Sequence, residues 1–167
     1  KIAEMVDFLR KDYLNLLTHP EYKDKPNYLV SMSLGGMIST DWMTRYPYDF
    51  KKAVLINTSL KGINSLTKRL RPGIFKSIYK IANSKTPLEK ERNIIEMVSN
   101  NKEKYQINTE IWSKISEKRP VSNYNAFRQI IAGATFTPPT EKPKAEILMI
   151  SGLGDRMVNH LCSEEIA

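Results

Sequence analysis

Ser31-Met32-Ser33-Leu34-Gly35-Gly36 is the segment of this chain best suited to chemistry. Ser33 has a small residue two positions before it and two positions after it. A short apolar run, Tyr28-Leu29-Val30, precedes it, and a helical pattern follows. A serine on such a strand-to-helix turn can act as a nucleophile. The sharp turn projects its hydroxyl at the carboxyl end of a strand, and small neighbours let strand and helix approach closely. The next backbone N–H, that of Leu34, then points from the start of a helix at a developing oxyanion. An alternative use of Ser33 is as an ordinary helix N-cap. Cys162 has no His or basic neighbour in sequence and reads as a core or loop thiol. One Cys and two His leave little material for a metal centre.

The elements that must position Ser33 can be read from hydrophobic spacing. Ile2, Met5, Val6, Leu9, Tyr13, Leu16 and Leu17 recur at helical intervals, and His19-Pro20 ends that helix. After the 28–30 strand, Met37 to Tyr46 reads as a helix that turns Met37, Ile38, Trp42 and Met43 inward, and Pro47 stops it. Lys52 to Asn57 reads as a second strand. Strand, turn, helix and strand fill about the 30 residues that a right-handed βαβ crossover needs. Both strands are continuously apolar, which predicts parallel pairing with helices covering both faces. Segments near 63–82, 88–99, 108–117 and 122–135 have helical spacing. Pro138-Pro139 and Pro143 form a stiff linker, and Ala145 to Ser151 is a third strand ending in Gly152-Leu153-Gly154-Asp155. A last helix is expected near Ser163. The predicted class is α/β, a parallel sheet flanked by helices and interrupted by a helical insertion. The expected units are 1–57, 58–137 and 138–167.

The net charge of +8 is uneven: residues 57–120 hold 14 Lys/Arg and 6 Asp/Glu, and the rest of the chain is balanced. Such a surface can attract an anionic partner, or it can be simply a solvated helical face. The basic runs lack the interleaved aromatics of an RNA-binding sheet, so no nucleic-acid partner is expected. No run of about 18 apolar residues occurs, so no membrane span is expected. No signal peptide is seen, and a cytoplasmic location is the expectation. The sequence starts at Lys1, within a helical pattern, and ends in what reads as another helix. Both ends are expected to be cuts.

With these elements in order, the chain resembles the α/β-hydrolase family over nearly its whole length. The likeness rests on Ser31-x-Ser33-x-Gly35-Gly36 after a strand, the next strand, a helical insertion, and a strand ending in Gly152-Leu153-Gly154-Asp155-Arg156-Met157-Val158. It implies Ser33 as nucleophile, Asp155 as the acid of a Ser-Asp-His triad, Leu34 N–H as an oxyanion donor, and Ser31 and Gly35 as structural residues of the turn. Ser31 stands where the family pattern has Gly. The resemblance places the His about 30 residues beyond the acid, whereas the sequence ends 12 residues after Asp155. His160 is only five residues on, and its loop would have to double back. His19 reads as a surface residue. The implied function is a carboxylesterase- or lipase-like serine hydrolase acting on an ester or related small-molecule acyl substrate, with no cofactor and no metal. Its base, a second oxyanion donor and earlier strands are expected outside these 167 residues, leaving this chain alone inactive. The competing reading is a non-catalytic hydrolase-like binding protein that uses the basic insertion for an anionic ligand.

Overall fold

The computed structural model describes all 167 residues. Its frame is α1 (Ile2–Leu17), β1 (Tyr28–Met32), α2 (Leu34–Arg45), β2 (Lys52–Ile56) and, after a long helical segment, β3 (Glu146–Ile150) and α8 (Leu161–Ile166). The helical segment holds α3 (Leu66–Arg69), α4 (Ile74–Ala82), α5 (Pro87–Val98), a 3-10 turn at Lys102–Lys104, α6 (Tyr105–Lys118) and α7 (Asn123–Thr135). The predicted 63–82 helix is thus two. Pro72-Gly73 separates them, because proline removes a helical N–H and disfavours helix in the residue before it. The predicted 37–46 helix begins three residues earlier, immediately after Ser33.

The sheet order is β1-β2-β3, and both pairings are parallel. Met32, Ile56 and Ile150 are in register, so all three strands end at one level. This common edge carries the turns that follow β1, β2 and β3.

Pleating sends alternate residues to opposite faces. One face is covered: Ala53 and Leu55 join Val6, Trp42, Met43 and Phe50 in the main core, with Leu29, Ile147 and Met149 packed against it. Asp49 braces this side. Its carboxylate accepts from Arg10 Nε at 2.7 Å and Trp42 Nε1 at 2.8 Å, and its carbonyl accepts from the Tyr13 hydroxyl at 2.7 Å. A second cluster, Ile2, Met37, Leu60 and Ala132, ties α1 and α2 to α7. Further along α1, Leu9 and Leu16 stay exposed.

The other face of the sheet is open, which corrects the expectation of cover on both sides. Val30 is 68% exposed and Leu148 58%, and Tyr28, Met32 and Ile150 are exposed beside them. The apolar strands have the composition of a two-sided sheet, but no helix of this chain crosses that face. β1 and β3 also each pair on one side only.

Candidate active site

Ser33 occupies the single residue between β1 and α2, at φ 52° and ψ −118°. Only one other non-glycine residue, Asn57, has positive φ. Such a conformation costs a non-glycine residue about 1–3 kcal/mol, so the surroundings must hold it. They do so through the backbone. Ser33 N–H donates to Ile56 O at 2.9 Å, and Ser33 O accepts from Gly36 N–H and from Thr58 Oγ1, each at 2.9 Å. Ser33 stands at the N-cap position, yet its hydroxyl does not cap the helix and makes no hydrogen bond. The ordinary capping role is therefore not the one it plays. Leu34 is the first residue of a twelve-residue helix. Its N–H has no carbonyl one turn earlier, and the helix dipole places partial positive charge there.

The tight packing predicted around the turn falls on Gly36. A Cβ there would lie 2.5 Å from Thr58 Oγ1 and 2.6 Å from Thr58 Cβ, whereas one on Gly35 would meet only Ser31 Cβ at 3.4 Å. Ser31, in the place of the expected glycine, is accommodated because its hydroxyl accepts from Ser39 Oγ at 2.8 Å. The added polar atom therefore has a partner inside the strand–helix contact.

Asp155 reaches the same end of the sheet from β3. Asn57 N–H donates to Ile150 O at 2.9 Å, and Asn57 Oδ1 accepts from Gly152 N–H at 2.8 Å. The loop then turns, with Asp155 N–H donating to Gly152 O at 3.1 Å. Asp155 Oδ1 accepts from Met157 N–H at 2.7 Å and Val158 N–H at 3.1 Å, so it serves the turn, while Oδ2 makes no hydrogen bond. Arg156 fastens the loop to the end of α5 through Glu96 O, Ser99 O and Asn100 Oδ1. Asn100 Nδ2 donates to Gly154 O at 3.0 Å. Ser33 and Asp155 thus emerge beyond the carboxyl ends of parallel strands, where such sheets offer ligand sites.

Neither histidine joins them. His19 is exposed after α1, accepting from Glu21 N–H at 3.3 Å. His160 starts α8, and its Nδ1 is buried without a partner. No hydrogen bond links either ring to Ser33 or Asp155. Cys162 is fully buried, and its thiol titrates above its ordinary range, because of burial first and Glu165 second. That environment suits a packed thiol, not a thiolate nucleophile.

Asn57, Thr58 and Arg156 support the site and carry no motif of their own. The available signal was the polar triplet Asn57-Thr58-Ser59 directly after an apolar strand, since Thr58 and Ser59 are almost completely buried.

A family model described as serine aminopeptidase, S33, matches residues 3–167. Among solved structures, 2-hydroxy-6-oxo-6-phenylhexa-2,4-dienoate hydrolase from Rhodococcus sp. strain RHA1 superposes with a TM-score of 0.67 at 20% identity, over 99% of this chain and 59% of that one. A hydrolase from Pseudomonas aeruginosa gives 0.64 at 16% identity, over 97% and 59%. An esterase, RhEst1 from Rhodococcus sp., gives 0.55 at 16% identity, over 83% and 51%. At these identities the superpositions establish the fold alone, and the chain spans between half and three-fifths of the length of these structures. No curated protein matches the sequence. The family match covers nearly the whole chain and agrees with the parallel sheet and the turn at Ser33: the chain belongs to the serine aminopeptidase (S33) family of α/β-hydrolases.

Proposed function

We propose that this chain carries the nucleophile and the acid of a serine hydrolase acting on an ester or related acyl substrate, with Ser33 as nucleophile and Asp155 as acid. The observation that carries the reading is Ser33 itself. It is held at φ 52° beyond a strand end, its hydroxyl is committed to no hydrogen bond, and Leu34 N–H stands next to it at a helix start. In this reading the 58–137 segment is the cap over the site. Ser33 Oγ attacks the acyl carbonyl as a histidine takes its proton. Leu34 N–H receives the charge on the carbonyl oxygen, and water then resolves the acyl-enzyme. The free Oδ2 of Asp155 is the acceptor for the other ring nitrogen of that histidine. The histidine lies outside these 167 residues in this proposal, since neither ring here bonds to Ser33 or Asp155.

The test is rapid labelling by a fluorophosphonate and turnover of a p-nitrophenyl ester. The protein that includes the histidine segment should label at Ser33, and Ser33→Ala should abolish both signals. The 167-residue chain should turn over ester about 10⁴–10⁶-fold more slowly, as hydrolases do on losing triad members. If instead this chain matched the longer protein and lost activity on Ser33→Ala, His160 would be the base and the assignment above would fail.

A non-catalytic binding role remains the second reading, favoured by one observation: the basic excess is concentrated in residues 57–120. It requires that Ser33 stay unlabelled in both proteins.

A further inference from the structure

Between Lys61 and Lys85 the chain carries seven Lys and Arg and no Asp or Glu. Lys68 alone among them pairs with an acid, Glu165, and Arg69 is buried. The next long helices are different: α5 sets Glu89, Glu91 and Glu96 among its cations, and α6 sets Glu110 and Glu117 among its own. Mixed signs are the ordinary composition of a solvated surface, so the acid-free stretch stands apart.

α4 lies within that stretch. Ile74 is buried and Ile78 and Ile81 are half-buried, forming its inward side. At 3.6 residues per turn, Phe75 and Tyr79 lie about 40° apart on the opposite side, and Lys76 and Lys80 begin about 60° further round. Phe75 is 60% exposed and Tyr79 71%, and both lysines are exposed. A row of rings thus runs beside a row of ammonium groups. Solvation accounts for the lysines but not for two adjacent uncovered rings.

We propose that this face of α4 docks on the surface of an anionic lipid membrane. The rings enter the boundary between headgroups and acyl chains, and the lysine stems lie along it and leave each ammonium beside lipid phosphates. Such a surface complements both the charge and the apolar rings, whereas an acidic solute complements the charge alone. The contact is peripheral: no helix here is long and apolar enough to cross a membrane. It goes beyond the hydrolase reading and does not depend on Ser33.

The experiment is flotation of the 167-residue chain with vesicles of phosphatidylcholine, alone or with about one-third phosphatidylglycerol. The chain should float with the anionic vesicles only, and about 1 M salt should release most of it, because the screening length then falls to about 3 Å. Lys76→Gln with Lys80→Gln should weaken binding about thirtyfold, and Phe75→Ser with Tyr79→Ser at least about tenfold. All four positions are exposed, and circular dichroism checks that each variant is folded. Phe75→Trp should give fluorescence that brominated lipid tails quench, whereas Tyr48→Trp, at an exposed ring elsewhere, should not. Ser33→Ala, and Val30→Asn with Leu148→Asn on the open sheet face, should leave flotation unchanged. Equal flotation with neutral vesicles, no flotation, or flotation indifferent to both α4 pairs overturns the proposal. Loss of flotation on the sheet-face change also overturns it, since that face would then be the contact. Poly-glutamate bound as tightly as the vesicles, with the Phe75 and Tyr79 changes silent, would assign the face to an acidic protein instead. Self-association abolished by those two changes would assign it to a second copy, and either result sinks the membrane reading.

Discussion

Gly36→Ala and Gly35→Ala should have opposite effects, although the two glycines are adjacent on one helix. The alanine methyl at 36 meets Thr58 Oγ1 at 2.5 Å and Cβ at 2.6 Å, distances that real side chains essentially never show, and Cγ2 at a tight 3.0 Å. Thr58 is fully buried and cannot swing into solvent. Overpacking of this kind costs about 1–3 kcal/mol. Displacing Thr58 also weakens its hydrogen bond to Ser33 O, a loss of about 1 kcal/mol. The better helix propensity of alanine returns about 1 kcal/mol. The net for Gly36→Ala is about 1–3 kcal/mol of destabilisation. At Gly35 the methyl makes only an ordinary contact with Ser31 Cβ, so the propensity gain of up to about 1 kcal/mol survives. The two variants then differ by about 2–4 kcal/mol, and with about 2–4 °C per kcal/mol for a chain of this size their Tm values should differ by roughly 4–16 °C. Far-ultraviolet circular dichroism during heating measures this. Thr58→Gly removes all three clashing atoms and should be less damaging in the Gly36→Ala background than alone. Equal Tm values for the two alanine variants, or a higher one for Gly36→Ala, would refute the packing argument.

Asp49→Ala should cost about 2–3 kcal/mol in denaturant unfolding, because Arg10 and the Trp42 indole N–H lose their shared acceptor in a largely buried setting. Lys52→Ala, at the exposed Lys52–Glu146 pair, should change nothing measurable. Cys162 titrates above its unfolded value, so its stabilisation is complete below the ordinary thiol range and is lost as pH rises through the folded value. Stability should therefore decline in alkali, Cys162→Ala should flatten that decline, and the native thiol should resist a disulfide reagent at neutral pH. On the open sheet face, Val30→Lys with Leu148→Lys should lower light scattering and self-association of the chain. Scattering equal to that of the parent sequence would show that this face does not drive association.

The three strands, their parallel pairing and the turn at Ser33 were legible in the sequence, since each follows from short-range pattern. An apolar run flanked by small residues and followed by helical spacing can hardly fold otherwise. The break at Pro72-Gly73 was equally local, but was hidden by helical spacing on both sides of it. The exposed face of the sheet was not legible. Val30 and Leu148 are as apolar as Leu29 and Ile147, and alternation cannot reveal cover when both faces are apolar.

By itself the sequence determined which residues could do chemistry and on which kind of local element each sits, because backbone propensity and hydrophobic period act over a few residues. Only the tertiary structure decided what those residues have available. The register of β1, β2 and β3 brings Ser33 and Asp155 to one edge. Thr58 makes Gly36, and not Gly35, the position that tolerates no side chain. One oxygen of Asp155 is taken by the turn and the other is left free. Each of these depends on atoms far apart in sequence meeting at van der Waals or hydrogen-bond distance, and no local pattern encodes that.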